Sequence, residues 1–150
     1  MADTPTIHAS AVLVGPRAAL IRGPSGSGKS RLAYELIEAG RCGSLPFARL
    51  VADDRAHVEA HGGRLLVRPA PALAGLIEVR GLGIRRFAYE PLATVALVID
   101  LAAGDAGRHP APDAAAAVIA GVTLPRLAVA PGIQALPLVL AWQNGERGGD

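Results

Sequence analysis

The sequence predicts an α/β fold with mixed, strand-rich sheets and few helices. Short apolar runs separated by glycine and proline turns recur along the chain, which is typical of strands. One unit, over residues 18–39, combines an apolar run, a glycine-rich loop and an amphipathic helix. The chain has 150 residues, of which 51% are hydrophobic and 19% charged, so it can bury a core and is too apolar to be disordered.

The composition limits the domain organisation and the classes of partner. We expect one domain over residues 1–150, with a core of small aliphatic side chains because aromatic residues are only 3% of the chain. The single cysteine, Cys42, excludes an internal disulfide and a cysteine-based zinc site. A net charge of +2 does not indicate nucleic acid or an anionic membrane as a partner. Without a long apolar run or a signal-peptide pattern, the expected location is cytoplasmic.

Apolar runs bounded by turn residues predict the strands. In chain order they cover residues 11–14, 18–22, 49–52, 57–60, 64–68, 77–80, 94–101 and 124–130. The turns Gly15-Pro16 and His61-Gly62-Gly63 join the first and second strands, and the fourth and fifth, as hairpins. Residues 94–101 are nearly all apolar and predict a buried central strand. Pro125 places the last strand at a sheet edge, because proline cannot donate to a ladder of hydrogen bonds.

Periodicity and capping residues predict three helices. They cover residues 31–39, residues 114–120, and a segment from near residue 137 to about residue 143. In the first helix the apolar residues share one face, and Gly40 is expected to end it. Asp113 is a suitable N-cap for the second helix, and Pro137 favours the start of the third.

The glycine-rich loop matches the phosphate-binding pattern G-x-x-x-x-G-K-[ST] at every defined position, between a strand and a helix as that pattern requires. Glycines let successive main-chain N–H groups point inward at phosphate oxygens, and the helix start adds a positive end. Lys29, the only lysine of the chain, would reach the β- and γ-phosphates, and Ser30 would bind Mg²⁺. The alternative is an ordinary glycine turn. The candidate ATP-binding residues are Gly23, Pro24, Ser25, Gly26, Ser27, Gly28, Lys29 and Ser30.

Two apolar strands end in acids that suit a metal site. Residues 49–52 lead into Asp53 and Asp54, and residues 95–99 lead into Asp100. An acid in this position holds Mg²⁺ in many phosphate-loop proteins. In the pair we assign Asp53 to the metal and Asp54 to general-base catalysis, because two adjacent carboxylates near a metal cannot be equivalent. A solvated acidic turn is the alternative, and the residues alone leave the metal role open between Asp53 and Asp100.

Three segments together resemble the C-terminal catalytic domain of bacterial HPr kinase/phosphorylase. They are the loop at residues 23–30, the segment LVADD at residues 50–54 and the distinctive segment IEVRGLGI at residues 77–84. The resemblance covers residues 7–101 well and the remainder weakly. It implies a fold related to phosphoenolpyruvate carboxykinase, and an ATP- and Mg²⁺-dependent kinase that phosphorylates a serine of HPr or a similar phosphocarrier. It also implies a homo-oligomer and a short form without the N-terminal domain of full-length enzymes.

The resemblance further implies a role for individual residues, and it favours Asp53 over Asp100 for the metal. The implied catalytic residues are His8, Lys29, Asp54, Arg80 and Arg108, with Asp54 as proton acceptor. The implied metal ligands are Ser30, Asp53 and Glu78. From residue type alone, His8 fits a surface histidine and Arg108 a loop cation. Glu78 and Arg80 alternate with apolar neighbours and fit the solvated face of a strand.

Two departures from the family pattern limit the resemblance, and the second bears on the direction of the reaction. Arg31 stands where the family usually has glutamate, and the late loop at residues 131–134 is PGIQ, without the basic residue that accompanies phosphorolysis. We therefore expect kinase activity more than phosphorolysis. A small-molecule kinase is an alternative, but residues 69–75 lack the cations of an arginine-rich lid. A nucleotide-binding regulatory module without catalysis is the other alternative.

Overall fold

Strands dominate the regular structure of residues 5–107 and 111–145, which the computed structural model describes. The strands are β1 (Thr6–Val14), β2 (Arg17–Arg22), β3 (Ala48–Ala52), β4 (Arg55–His61), β5 (Arg64–Pro69), β6 (Leu76–Val79), β7 (Gly83–Arg86), β8 (Ala93–Asp100), β9 (Ala116–Ile119) and β10 (Val122–Ala128). The α-helices of this part of the chain are α1 (Lys29–Arg41) and α2 (Ala135–Asn144). The predicted strand-rich α/β class is confirmed, and neither helix is long and apolar enough to cross a membrane.

Eight of these strands form one sheet in which the pairing closes on itself. Strand β1 pairs with β4, β4 with β5, and β5 with β8, all antiparallel. Strand β2 completes the ring, because it pairs parallel to β8 and antiparallel to β1. Strand β3 pairs with the second half of β1, while β10 and β9 extend the sheet from β8. The parallel β2–β8 pair sets Arg22 beside Asp100, directly before the glycine-rich loop.

The sheet buries apolar side chains on both faces. Along β2, Ala19 and Ile21 pack into a cluster with α1, whereas Ala18 and Leu20 pack into the cluster on the other face. That second cluster is rich in alanine, with Ala9, Ala11, Ala18, Ala52, Ala56, Ala93 and Ala117. The prediction of a core built from small aliphatic side chains is confirmed, and such side chains allow strands to close tightly around the ring.

Residues 114–120 do not form the predicted helix. Residues 112–115 make a short 3₁₀ turn, and Ala116–Ile119 forms β9, which pairs antiparallel with β10 across a turn at Gly121. Pairing with β10 gives the main chain of β9 hydrogen-bond partners along one side, and Ala117 is buried. The β-branched residues of β9 suit a strand, so tertiary pairing overrides the helical preference of alanine.

Strand β10 was predicted at a sheet edge, and this is wrong. It pairs with β9 on one side and with β8 on the other. The ladder to β8 begins at Arg126, opposite Val98, so Pro125 precedes it. The missing N–H of Pro125 therefore removes no bond to β8, and proline is tolerated in an interior strand.

Gly40 does not end α1, which runs on to Arg41. A Cβ atom at Gly40 would come within 2.7 Å of the Ala48 main-chain nitrogen and Cβ atom. The glycine therefore allows the close approach of β3 to the helix. The other predicted elements are confirmed to within two residues, with two exceptions. The first strand begins at Thr6 and not at residue 11, and residues 77–80 are one half of a hairpin with β7, which was not predicted.

Candidate active site

The loop between β2 and α1 has a backbone that only glycine adopts readily. Gly26 and Gly28 have φ angles of +80° and +99°, and Gly28 is the residue before the first turn of α1. The main-chain N–H of Ser27 donates to the Pro24 carbonyl at 3.0 Å and closes the turn. A Cβ atom at Gly23 would lie 2.5 Å from Ser27 Oγ and 3.1 Å from Leu101 Cβ. Because Gly23 has no side chain, the loop can curl closely against the sheet.

Ser27, within the loop, has a buried hydroxyl group that indicates what the loop binds. Its Oγ atom is buried and has no hydrogen-bond partner among the residues that the structure describes. A buried hydroxyl without a partner costs about 1–3 kcal/mol. An anion held by the loop would accept a hydrogen bond from this hydroxyl. The positive N-terminal end of α1, which follows directly, favours an anion there as well. The loop therefore fits a phosphate group.

Lys29 is folded back over the same loop. Its Nζ atom donates to the carbonyl oxygens of Gly23 at 2.9 Å and Pro24 at 3.1 Å. These bonds fix the ammonium group at the first two residues of the loop, and an ammonium has three N–H donors. The only lysine of the chain thus places its charge on the loop that has the phosphate-binding pattern.

A buried carboxylate connects the helix start to the end of β3. Ser30 Oγ donates to both carboxylate oxygens of Asp53, at 2.8 and 2.9 Å. Ser10 Oγ donates to Asp53 Oδ1 at 2.6 Å, and the Glu78 main-chain N–H lies 3.4 Å from Oδ2. The Asp53 residue is only 5% exposed. Ser30 and Asp53 are the residues that the sequence assigns to a metal, and the fold places them in direct contact.

Ser10 belongs to this cluster and was not singled out in the sequence. It is fully buried in β1, where it donates to Asp53 and lies 3.4 Å from the main-chain nitrogen of Asp54. The feature of the sequence that could have pointed to Ser10 is its hydroxyl side chain within the otherwise apolar residues 9–14. A buried hydroxyl in such a run needs a polar partner, but the sequence does not show which one.

Asp54 has an unusual backbone conformation for a residue with a side chain. Its φ angle is +69°, in the left-handed region that aspartate tolerates better than most residues. The conformation is held because Ala9 N–H donates to the Asp54 carbonyl at 3.2 Å, and Arg55 N–H donates to the Asp53 carbonyl at 2.8 Å. The Asp54 residue is exposed, beside the buried Asp53. The two carboxylates therefore have very different environments.

The remaining candidate residues are less closely connected to Asp53 and Asp54 than Ser10 and Ser30 are. His8 is exposed in β1, where it pairs with Arg55 of β4, one position from the contact to Asp54. Glu78 approaches Asp53 through its main-chain nitrogen. Arg80 was predicted at the end of a strand, but it is exposed in the turn between β6 and β7. Arg108 lies outside the described residues.

Asp100, the other candidate for the metal, is held by two arginines. Arg22 donates from Nε and Nη2 to its two oxygens at 2.8 Å each, and Arg126 donates from Nε at 2.5 Å. Arg126 also bridges to both oxygens of Asp105, at 2.8 and 3.0 Å. Burial raises the pKa of Asp100, but the hydrogen bonds and charges of both arginines outweigh this effect and hold the pKa below the usual range of an aspartate. This carboxylate ties β2, β8 and β10 together at the start of the loop.

We expect Asp100→Asn to destabilise the fold by about 2–3 kcal/mol at pH 7, because it removes the charge that two partly buried guanidinium groups share. The pKa of Asp100 is lowered by folding, so its stabilisation is complete above its unfolded pKa and is lost as the pH falls through the folded pKa. Urea unfolding should therefore show a difference between variant and parent that shrinks below about pH 4.

Asp113→Asn is the matched control, because Asp113 is exposed in the 3₁₀ turn before β9. It should leave the free energy of unfolding unchanged within about 0.5 kcal/mol. A difference for Asp100→Asn that is absent at pH 7, or constant down to pH 2, would contradict the role given to the ion pairs.

The described residues contain no group of three His, Cys, Asp or Glu side chains arranged to hold a metal ion. Mg²⁺ does not need such a cage, because it is commonly held by one or two protein ligands together with substrate phosphates and water. Ser30 and Asp53, at the edge of a loop that fits phosphate, suit this shared mode of binding.

Comparison with known proteins identifies the family. The profile of the HPr Serine kinase C-terminal domain family matches residues 1–89. The chain belongs to this family. The matched residues include the glycine-rich loop, the two adjacent aspartates and the β6–β7 hairpin, whereas Arg108 lies beyond them.

Individual HPr kinase/phosphorylases are also similar to this chain in sequence. The HPr kinase/phosphorylase of Streptococcus thermophilus is 41% identical over 85 residues, which are 56% of this chain and 25% of that protein. The HPr kinase/phosphorylase of Exiguobacterium sp. is 38% identical over 97 residues, which are 59% of this chain and 29% of that protein. The matched region is thus about a quarter of the length of these curated relatives.

The structural similarity to a solved relative extends beyond the residues that the family profile matches. The structure of the Hpr(Ser) kinase/phosphatase from Coxiella burnetii superimposes with a TM-score of 0.70 and 26% sequence identity. The superposition covers 93% of this chain and 93% of the Coxiella chain. Because this coverage is much greater than that of the family profile, most of the chain after residue 89 belongs to the architecture that the two proteins share.

Proposed function

We propose that this chain is a kinase domain that uses ATP and Mg²⁺ to phosphorylate a serine of HPr or a related phosphocarrier. Membership of the HPr kinase family supports the reaction class. The observation that carries the proposal is the direct contact between Ser30, at the helix start after the loop, and the buried Asp53. This contact joins a loop that fits phosphate to a carboxylate that suits a metal.

ATP binding is proposed for residues 23–30. The main-chain N–H groups of the curled loop and the Ser27 hydroxyl would donate to phosphate oxygens. Lys29, already fixed over the loop by two carbonyl bonds, would neutralise charge on the β- and γ-phosphates. Because phosphoryl transfer depends mainly on position and on neutralising charge, these groups account for much of the expected catalysis.

For Mg²⁺ we propose Ser30 and Asp53 as ligands, with Glu78 as a third contact. When bound, the ion neutralises charge on the phosphates of the nucleotide. Asp53 is prepared for this role by Ser10, which holds one of its oxygens at 2.6 Å. Asp100 is a weaker candidate, since two arginines already bind its carboxylate.

Asp54 is the proposed general base. Its exposed carboxylate is accessible to a protein substrate and would accept the proton of the attacking serine hydroxyl. A bond then forms between the serine oxygen and the γ-phosphorus, the bond from that phosphorus to the β–γ bridging oxygen breaks, and ADP leaves. His8 and Arg80 are proposed to act beside it. Because a late loop cation is missing at residues 131–134, we expect transfer from ATP to exceed phosphorolysis.

The direct test is incubation of the protein with γ-labelled ATP, Mg²⁺ and a purified HPr-type carrier, followed by mapping of the label. We expect label on one serine of the carrier, and none on a carrier in which that serine is replaced by alanine. Gel filtration of the same sample tests the proposed homo-oligomer. ATP binding without label on any carrier would contradict the kinase proposal and favour a regulatory nucleotide-binding module.

A further inference from the structure

Asp53 and Asp54 form the whole connection between β3 and β4. Both of these strands pair with β1, which meets β4 along its first residues and β3 along its second half. Ala9 and Ser10 lie between the two pairings, so neither ladder of strand hydrogen bonds includes the two aspartates. Other hydrogen bonds therefore have to hold this acidic connection in place.

The Ser10 hydroxyl contacts both aspartates. Its O–H donates to Asp53 Oδ1 at 2.6 Å, and its oxygen accepts the main-chain N–H of Asp54 at 3.4 Å. An ionised carboxylate only accepts hydrogen bonds and a main-chain N–H only donates them, so a group that joins the two has to do both. A hydroxyl has this property. Because Ser10 is fully buried, solvent does not compete for either bond.

Asp53 has other hydrogen-bond donors, but they belong to segments beside the proposed nucleotide. Ser30 donates from the start of α1, and the Glu78 N–H donates from the β6–β7 hairpin. Ser30 is itself a proposed metal ligand, so its hydroxyl has a second role. Ser10 instead lies inside the sheet, where it pairs with Ile21 of β2. Among the described donors to Asp53, Ser10 is thus the one that the sheet keeps in place.

The bond from Ser10 to Asp54 acts on the backbone. Asp54 adopts a φ angle of +69°, which a residue with a side chain adopts only when its surroundings hold it there. The Ala9 N–H donates to the Asp54 carbonyl at 3.2 Å, and Ser10 Oγ accepts from the Asp54 N–H. Strand β1 therefore binds both main-chain polar groups of Asp54. Loss of either bond would let the backbone that carries this carboxylate move.

We propose that Ser10 is a positioning residue that holds the metal ligand Asp53 and the general base Asp54 in one fixed geometry. The inference rests on the proposed function, which gives the two aspartates these roles. Since Ser10 is fully buried, it acts through the aspartates and not through its own contact with a ligand. Groups that orient metal ligands in this way typically change metal affinity or activity by about 10–100-fold when they are removed.

Ser10→Ala removes both bonds, and alanine fits the space because it is smaller than serine. The first readout is Mn²⁺ binding to the protein in the presence of ADP, measured by electron paramagnetic resonance. We expect the affinity for Mn²⁺ to fall about tenfold. A dissociation constant, unlike a rate, does not depend on how much of the protein is active. A purely structural role of Ser10 would therefore leave it unchanged.

The second readout is label transfer from ATP at saturating Mg²⁺, which reports on Asp54. We expect kcat to fall about tenfold while KM for the carrier stays within about twofold of the parent, because the buried Ser10 does not contact the carrier. Thr94→Val is the matched control, since it removes a hydroxyl from a half-buried position of β8, opposite Leu66 of β5. It should change neither the Mn²⁺ affinity nor kcat.

A folded Ser10→Ala variant that matches the parent in Mn²⁺ affinity or in kcat would overturn the inference alone, because Ser10 would then position at most one aspartate. If Ser10→Ala does not fold, Ser10→Cys is judged by the same outcomes, since a thiol is close to a hydroxyl in size but donates weakly. Failure of the parent to bind Mn²⁺ with ADP would instead overturn the proposed metal site, and the role of Ser10 with it.

Discussion

Lys29→Ala is expected to reduce phosphoryl transfer by about a hundredfold or more, which is the usual cost of removing one group that stabilises the transition state. The side chain carries the only ammonium group of the chain apart from the N-terminus, and its Nζ atom lies over the loop, 2.9 Å from the Gly23 carbonyl. Alanine is the best helix former and Lys29 begins α1, so the fold should be retained. The loss should therefore appear mainly in activity, with a smaller loss of stability from the two carbonyl bonds of Lys29.

The measurement is the initial rate of label transfer from ATP to the carrier, with the thermal unfolding midpoint recorded for each variant. Arg64→Ala is the matched control, because it removes a cation from an exposed position at the start of β5. It should leave the rate unchanged. Lys29→Ala with a rate within about threefold of the parent, in a folded protein, would exclude the lysine from the transfer step.

Features carried by consecutive residues were predictable from the sequence. The glycine-rich loop is one, because all of its groups lie within residues 23–30 and the strand and helix that flank it have clear patterns. The two hairpins around Gly15 and Gly62 are similar, since their turn residues determine the pairing of adjacent strands. The adjacent aspartates also stood out, although the residues alone left the metal role open between Asp53 and Asp100.

Features that depend on distant residues were not predictable in the same way. Ser10 contacts Asp53 because β1 pairs with β4 along its first residues and with β3 along its second half, an arrangement that the sequence pattern does not specify. The ion pairs of Asp100 join residues that are 78 and 26 positions away. Strand β9 was missed for a related reason, because an alanine-rich segment prefers a helix until β10 is available to pair with it.

Asp54→Asn is the second variant with a large expected effect. If Asp54 accepts the serine proton, the amide cannot, and transfer should fall by about a hundredfold to ten-thousandfold. Asparagine suits this position because, like aspartate, it tolerates the left-handed backbone that Asp54 adopts at φ +69°. The substitution therefore changes the charge and basicity of the side chain without adding backbone strain. Calorimetry of MgATP binding should give an affinity close to that of the parent, since Asp54 is not a proposed metal ligand.

Asp54→Gly tests whether the effect comes from the carboxylate or from the backbone conformation of this residue. Glycine relieves the positive φ angle, so this variant should be at least as stable as the parent while transfer is lost as completely as in Asp54→Asn. Equal loss in both variants assigns the effect to the missing carboxylate, because only one of them alters the backbone preference. If Asp54→Asn retained transfer while Asp54→Gly lost it, the turn geometry and not the carboxylate would matter, and another group would have to accept the serine proton.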